Sequence, residues 1–489
     1  MHLRPGPWGL ACVWLALAVA SAAAQRTIQV PLEFNTIQGA IDAASNNDTI
    51  RVLPGVYHEN IDLRGKIIRL ESTNGPARTI IDGQQRGSVV TFSGGETGST
   101  FFAGFTLVNG TGTTDRFFRV GGGICCRKAS PTIWGVVVEH NQVFGAFGYG
   151  GGIYVNGGSP KIVECVVAHN ESSSWGGGMC MVDSAAVITR CTIRSNRSDQ
   201  GGGILFSGGS PTLTSSVLMK NEAGSGGGIY AALGVPVTKT FTNNTIVANK
   251  ATRFGGGFAS ASDASVVANS ILWNNVAPQG PQLWLGRDCS SCAPSTVTID
   301  HSVAEGGSSA VFQQSGAKLA WGAGMIDADP HLADLTRDDA HLLYTSPCRD
   351  RGSGTAASLP KEDLDGAGRV FGGAVDIGAD EFAPRLYLRG RAYLGTTLDM
   401  AVVGMPGTPV VWAVSIRLAN PPIPIPGIGT LYLDPSSMTL NFPGLVPATG
   451  VVPISMPIPK TLPIRTLPIQ ALSTGQLTNH VFGVLLELE

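Results

Sequence analysis

Charge is scarce in this chain. Asp, Glu, Lys and Arg account for 14% of the 489 residues and nearly cancel, leaving a net charge of −2. An average soluble domain carries roughly 25%. No basic run is present, which excludes a polyelectrolyte grip on nucleic acid or anionic lipid. Aromatic residues are few, at 7%. Beyond residue 24 no apolar stretch is long enough to span a bilayer. The apolar run Leu10–Ala20, with His2 and Arg4 before it and Ala22-Ala23-Ala24 behind it, reads as a secretory leader over residues 1–24. The expected product is therefore secreted or displayed on the cell surface. Cys12 lies within the leader, which leaves eight of the nine cysteines in the exported chain, an even number. An oxidising compartment permits disulfides.

Glycine, by contrast, is abundant, with 65 residues. Six triplets begin at Gly121, Gly150, Gly176, Gly201, Gly226 and Gly255, spaced 29, 26, 25, 25 and 29 residues apart. About twenty residues after each comes an asparagine: Asn141, Asn170, Asn196, Asn221, Asn249 and Asn275. A fixed period of this length means stacked units, none able to bury its apolar side alone. Three residues after the first glycine stand Ile124, Ile153, Met179, Ile204, Ile229 and Phe258. Three before each asparagine stand Val138, Val167, Ile193, Leu218, Ile246 and Leu272. Both columns lie in segments of period-two alternation, the mark of strands with one face inward. Helices would be destabilised by the glycines. The predicted fold is all-β: a right-handed parallel β-helix of roughly ten rungs, with an asparagine ladder at one corner. Ile37, Ala40, Ile41 and Ala44 share one helical face, so residues 34–45 are predicted to cap the N-terminal end.

Thr36 to Ser72, with Asp48-Thr49-Ile50-Arg51-Val52 and Pro54-Gly55-Val56-Tyr57-His58-Glu59-Asn60, closely resembles the opening of pectin-lyase-like β-helix proteins. That resemblance implies the fold and brings no catalytic residue with it. Asp327-Ala328-Asp329-Pro330, Ser346-Pro347-Cys348, Asp363-Leu364-Asp365-Gly366 and Val375–Phe382 resemble the choice-of-anchor Q module of exported bacterial β-helix proteins. It implies a structural terminus over about 325–383, tied to export or surface display in a bacterium. Asn141 and Asn221, each followed by Gly-Gly-Gly-Ile-Tyr, look like the repeats of polymorphic outer-membrane adhesins. The β-helix is thus expected over 25–383. From 384 to 489 the triplets and cysteines stop, and short apolar runs at regular spacing predict a separate β-sandwich.

The chemistry-bearing residues are sparse. The strings of the family's glycosidases, among them Asn-Thr-Asp, His-Gly and Arg-Ile-Lys, are absent. Candidate acid–base groups are His140, His169, Arg194 and Lys220, all beside the asparagines. Glu164 and Arg190 share one coil position and read as a surface pair. Tyr149, Trp175 and Phe254 precede glycine triplets, near Phe144 and Phe147. With Glu139 they are the candidates for binding a sugar, and turn packing is the alternative role for the rings. Cys165 with Cys191, in adjacent coils, and Cys289 with Cys292 are the disulfide candidates. Asp363, Asp365, Asp376 and Glu381 with Arg369 could hold calcium, but the EF-hand spacing is missing and a charged turn network is favoured. No cofactor is expected. The leading functional expectation is non-catalytic binding of an extracellular glycan or surface partner. A polysaccharide lyase or glycosidase, and an adhesin-like or structural surface protein, are the alternatives.

Overall fold

The computed structural model describes residues 25–232 and 237–382, together with the backbone of strands between Arg385 and Leu485. Each repeat runs from its glycine triplet through four short strands. In the first they are Ile124–Arg127, Thr132–Trp134, Val137–Glu139 and Gln142–Val143. Equivalent strands of successive coils pair in parallel, Ile124 with Ile153, Ile133 with Ile162 and Val138 with Val167. The product is a right-handed parallel β-solenoid of about eleven turns. Its walls are a glycine-side sheet of ten strands, a middle sheet of twelve and an asparagine-side sheet of ten. The fourth strands stack into a five-stranded ridge outside these walls. A helix at Ile37–Ala43 buries Ile37, Ala40 and Ile41, and the Thr36 hydroxyl accepts the Gly39 N–H at its start.

The three glycines of a triplet are needed for three different reasons. The first has φ between 62° and 67° in all six triplets, the left-handed region where a side chain is strained. The second lies against backbone of the ridge: a Cβ on Gly177 would stand 2.5 Å from the carbonyl oxygen of Arg197, in the fourth strand of its own repeat. The third faces the ladder, where a Cβ on Gly178 would stand 2.9 Å from Asn196 Nδ2.

The asparagines form a continuous buried ladder. Asn196 Nδ2 donates to the Val167 carbonyl (2.8 Å) and to Asn221 Oδ1 (3.0 Å). Asn196 Oδ1 accepts the backbone N–H (3.0 Å) and side-chain amide (3.1 Å) of Asn170. The ladder ends where Asn275 donates to Gln282 Oε1 at 2.7 Å. Substituting Asn196→Ala orphans buried groups on both neighbours and should cost about 3 kcal/mol. The urea unfolding midpoint measures this loss, which would be absent if water replaced the amide.

A second polar column runs along the corner between the middle and asparagine-side sheets. Ser216 Oγ accepts from Cys191 N, Asn244 Oδ1 from Ser216 N and Ser270 Oγ from Asn244 N. Cys165 and Cys191 stand in this column as free thiols, each aimed at carbonyl oxygens. They take the place that serine holds in later coils, so the pairing their register allows is not made. Burial raises the Cys191 thiol well above its ordinary pKa. Cys289 and Cys292 are joined in a surface loop.

Residues 326–382 lie along the outer face of the asparagine-side sheet. Ala340, Leu342, Cys348, Ile377, Ala379 and Phe382 cover its outward Val217, Met219, Val247, Ile271 and Val303. Polar ties flank this apolar seam. Asn243 donates to the Asp376 and Gly378 carbonyls, Arg369 to Ser215 Oγ at 2.6 Å and Asn269 to the Ser353 carbonyl. Farther along the chain, Thr397–Val403 pairs antiparallel with Arg385–Leu388 and Val451–Pro457. Pro409–Ser415 pairs with Met438–Leu445 and Thr466–Ser473. The packing of those sheets, and so the sandwich expected over 384–489, lies outside the described residues, as does the leader of 1–24.

Candidate functional site

Two surfaces carry the residues that sequence singles out. The first is the outer face of the asparagine-side sheet. Its strands are flanked by single corner residues in the left-handed conformation, among them His140, Glu164, His169, Arg190 and Lys220, with φ between 53° and 55°. That conformation turns the chain through a tight corner and leaves the side chain outside the lumen. His140 and His169 consequently stack, with ring centroids 5.2 Å apart. Arg194 Nη1 lies 3.1 Å from His169 Nε2. Burial, then the positive charges of Arg194 and His140, lower the His169 pKa and favour its neutral form.

The cations proposed as acid–base groups are already engaged. Asp338 lies 3.3 Å from Arg194 and 2.6 Å from Lys220, tying both to the covering segment. Arg190 is held between Glu164, at 2.6 Å, and Glu362. Arg194 and Lys220 therefore fasten residues 326–382 to the sheet, a role set by contacts more than a hundred residues away in sequence. Beside these pairs a cleft of about 290 Å³ opens, lined by Glu164, Arg190, Thr192, Asp338, His341 and Asp365 among others. His341 was not a sequence candidate. It stands in the short strand Asp339–Leu342 with its ring between two carboxylates, Asp339 at 2.6 Å and Asp365 at 3.1 Å.

The second surface is the ridge. Its aromatic rings lie over the outward column of the glycine-side sheet, Cys125, Tyr154, Cys180, Leu205, Tyr230, Ala259 and Trp284. Tyr149 stacks on Phe118 at 5.1 Å and on Trp175 at 4.6 Å, and Phe254 stacks on Trp284 at 4.1 Å. Ring faces used against each other are not available to a sugar, so Tyr149, Trp175 and Phe254 build a second apolar layer. Glu139 lies on the asparagine-side sheet, away from them. Among the described residues the three most exposed rings are at the ridge's N-terminal end: Phe117 (83% exposed), Phe147 (49%) and Phe144 (46%). Phe147 packs on Phe118 at 5.7 Å. The extra hairpin Thr113–Asp115 and Phe118–Val120 joins the ridge there, Arg119 and Val120 pairing with Gly148 and Tyr149. Phe117 sits in the turn of this hairpin, which the other repeats lack, so the glycine-triplet period does not point to it.

The acidic cluster of the covering segment is a network of turns. Asp363 accepts the N–H groups of Asp365 and Ala367, Asp376 those of Asp350 and Phe382, and Glu381 those of Phe371 and Asp376. Arg369, 3% exposed, donates to the Gly378 and Ala379 carbonyls. The oxygens suggested for calcium are thus largely spent on backbone donors.

The family model described as a right handed beta helix region matches residues 84–233 and 122–293. No curated protein matches by sequence. Among solved structures, the PL6 family alginate lyase AlyGC is similar at 14% identity, covering 76% of this chain and 60% of that chain, with a TM-score of 0.34. The enzymatically active domain of bacteriophage CBA120 tailspike protein 4 is similar at 11% identity, covering 90% of this chain and 64% of that chain, with a TM-score of 0.31. The chain spans less than two thirds of the length of either.

Proposed function

We propose that this chain is an exported β-solenoid that binds an extracellular polysaccharide, and that Phe117, Phe144 and Phe147 are its contact surface. The carrying observation is their exposure on neighbouring loops, whereas the other exposed rings among the described residues, Trp134, Phe312 and Phe371, stand singly on separate elements. A contiguous exposed apolar group marks an interaction site. Aromatic faces suit the apolar face of a pyranose, and the coil repeat of about 4.8 Å is comparable to the length of one sugar ring. The stacked Phe118, Tyr149 and Trp175 beneath hold the loops in place. Affinity electrophoresis of the chain from Gln25 onward through neutral and acidic polysaccharides tests this. Retardation by at least one glycan is expected, with affinity falling about tenfold in Phe117→Ala or Phe147→Ala, the loss of one buried anchor. Unchanged mobility of both variants would refute the assignment.

A second reading, cleavage of a polysaccharide, is favoured by the cleft in which Glu164, Arg190, Asp338, His341 and Asp365 meet. It ranks below binding because Arg190 and Asp338 are already paired. New reducing ends or unsaturated products released from a glycan panel would establish it.

A further inference from the structure

We propose that His341, Asp365 and Asp380 form a binding site for a divalent transition-metal ion, independent of the glycan reading. One ligand atom from each lies within 4.8 Å of the other two. Metal–ligand bonds of about 2.0–2.2 Å place donors roughly 3.0–3.5 Å apart. His341 Nε2 and Asp365 Oδ2, 3.1 Å apart, already meet that separation.

The imidazole is oriented for the task. Asp339 Oδ1 lies 2.6 Å from Nδ1 and is almost fully buried, so it holds the ring by Nδ1 and turns Nε2 toward Asp365, where a bound ion would take the place of the Nε2–Asp365 hydrogen bond. A carboxylate behind a ligating histidine is the usual arrangement at protein metal sites. Asp380, 1% exposed, is anchored by the Leu342 N–H at 2.8 Å and supplies the inner wall. The Asp365 side chain is 39% exposed and borders the cleft, which gives an ion a way in and leaves room for water as further ligands.

Charge supports a cation here. Asp339, Asp363 and Asp380 are buried in one segment with Arg369 as its buried guanidinium. One imidazole with two carboxylates favours ions such as Zn²⁺ or Mn²⁺ over Ca²⁺, which prefers an all-oxygen shell. Only Asp365 is shared with the calcium set expected from sequence. An ion here would pin together three separate parts of the covering segment and raise its stability by mass action.

The test uses the whole exported chain, stripped with a chelator and titrated calorimetrically with Zn²⁺, Mn²⁺ and Ca²⁺. One transition-metal ion per chain is expected, with micromolar or tighter affinity, weaker Ca²⁺ binding and a higher melting temperature on loading. Asp365→Asn and His341→Ala should each weaken binding by tenfold or more, while Asp199→Asn on the ridge leaves it unchanged. Co²⁺ as a probe should show ligand-field bands that change in His341→Ala. Failure of the stripped wild type to bind either transition metal would overturn the proposal. So would wild-type affinity in Asp365→Asn, which is half-exposed and decides the matter even if His341→Ala does not fold.

Discussion

Gly202→Ala should be severely damaging, although it adds a single methyl. Gly202 is the middle residue of its triplet, and its φ is not the obstacle. A Cβ there would stand 2.5 Å from the Glu222 carbonyl oxygen and 2.6 Å from that of Gly227. Both are backbone atoms, one in the fourth strand of the same repeat and one in the next triplet, so no rotamer change relieves the contact. Moving the next coil away strains the Gly202 N–H bond to Gly226 O and the Gly203 bond to Gly227 O, both 3.0 Å. Overpacking typically costs about 1–3 kcal/mol where side chains can give way. Here they cannot, and a loss of about 4 kcal/mol or more is expected. Gly98→Ala is the control, since nothing lies within 4 Å of its Cβ. Equilibrium unfolding of both variants should show Gly98→Ala near wild type. A Gly202→Ala midpoint equally near it would mean that the coils slide apart at little cost.

Lys239→Met should cost nearly as much, about 3–5 kcal/mol, because it strands a charge. Lys239 lies two residues before the core residue Phe241 along Thr238–Thr242, on the same face, and therefore points into the lumen. Its ammonium meets Asp263, and both side chains are fully buried. Asp263 also accepts a hydrogen bond from Ser265 Oγ at 2.7 Å. Burial raises the Asp263 pKa even with the lysine's opposing pull. Without the lysine it rises further, and the carboxyl must bind a proton to stay inside. A carboxyl whose folded pKa exceeds its unfolded value stabilises below the unfolded pKa and loses that stabilisation as pH rises. The Lys239→Met deficit should therefore shrink on acidification, and Lys239→Met with Asp263→Asn should recover most of it. Chemical unfolding at several pH values measures both effects. A deficit that ignores pH and survives the double substitution would show that packing, not charge, was lost.

The inward columns and the asparagine ladder were legible because their partners are copies of themselves one period away. Ile204 needs only Ile229 and Met179 at the same coil position, and the sequence prints that register directly. The second polar column was half visible: Cys165 and Cys191 share their position with Ser216 and Ser270, which points to corner hydrogen bonding as readily as to a disulfide. The outward column held a signal that alternation alone obscured. Cys125, Tyr154, Cys180, Leu205 and Tyr230 include no charge, as expected of a strand covered on both faces. The ridge provides the cover. Along the asparagine-side sheet the outward residues likewise change from Glu139 and Arg194 to Met219 and Val247, where residues 326–382 take over from solvent.

Sequence alone determined the coil, its corners, the core and the N-terminal helix, because each is fixed by contacts between a residue and its neighbour in the chain or in the next repeat. Tertiary structure alone decided that Arg194 and Lys220 bind Asp338, and that His341 meets Asp365 and Asp380. Those contacts lie within the covering segment, which has no period, or join it to the periodic solenoid. Their register depends on shape and charge complementarity across long stretches of chain, and no spacing in the sequence records it.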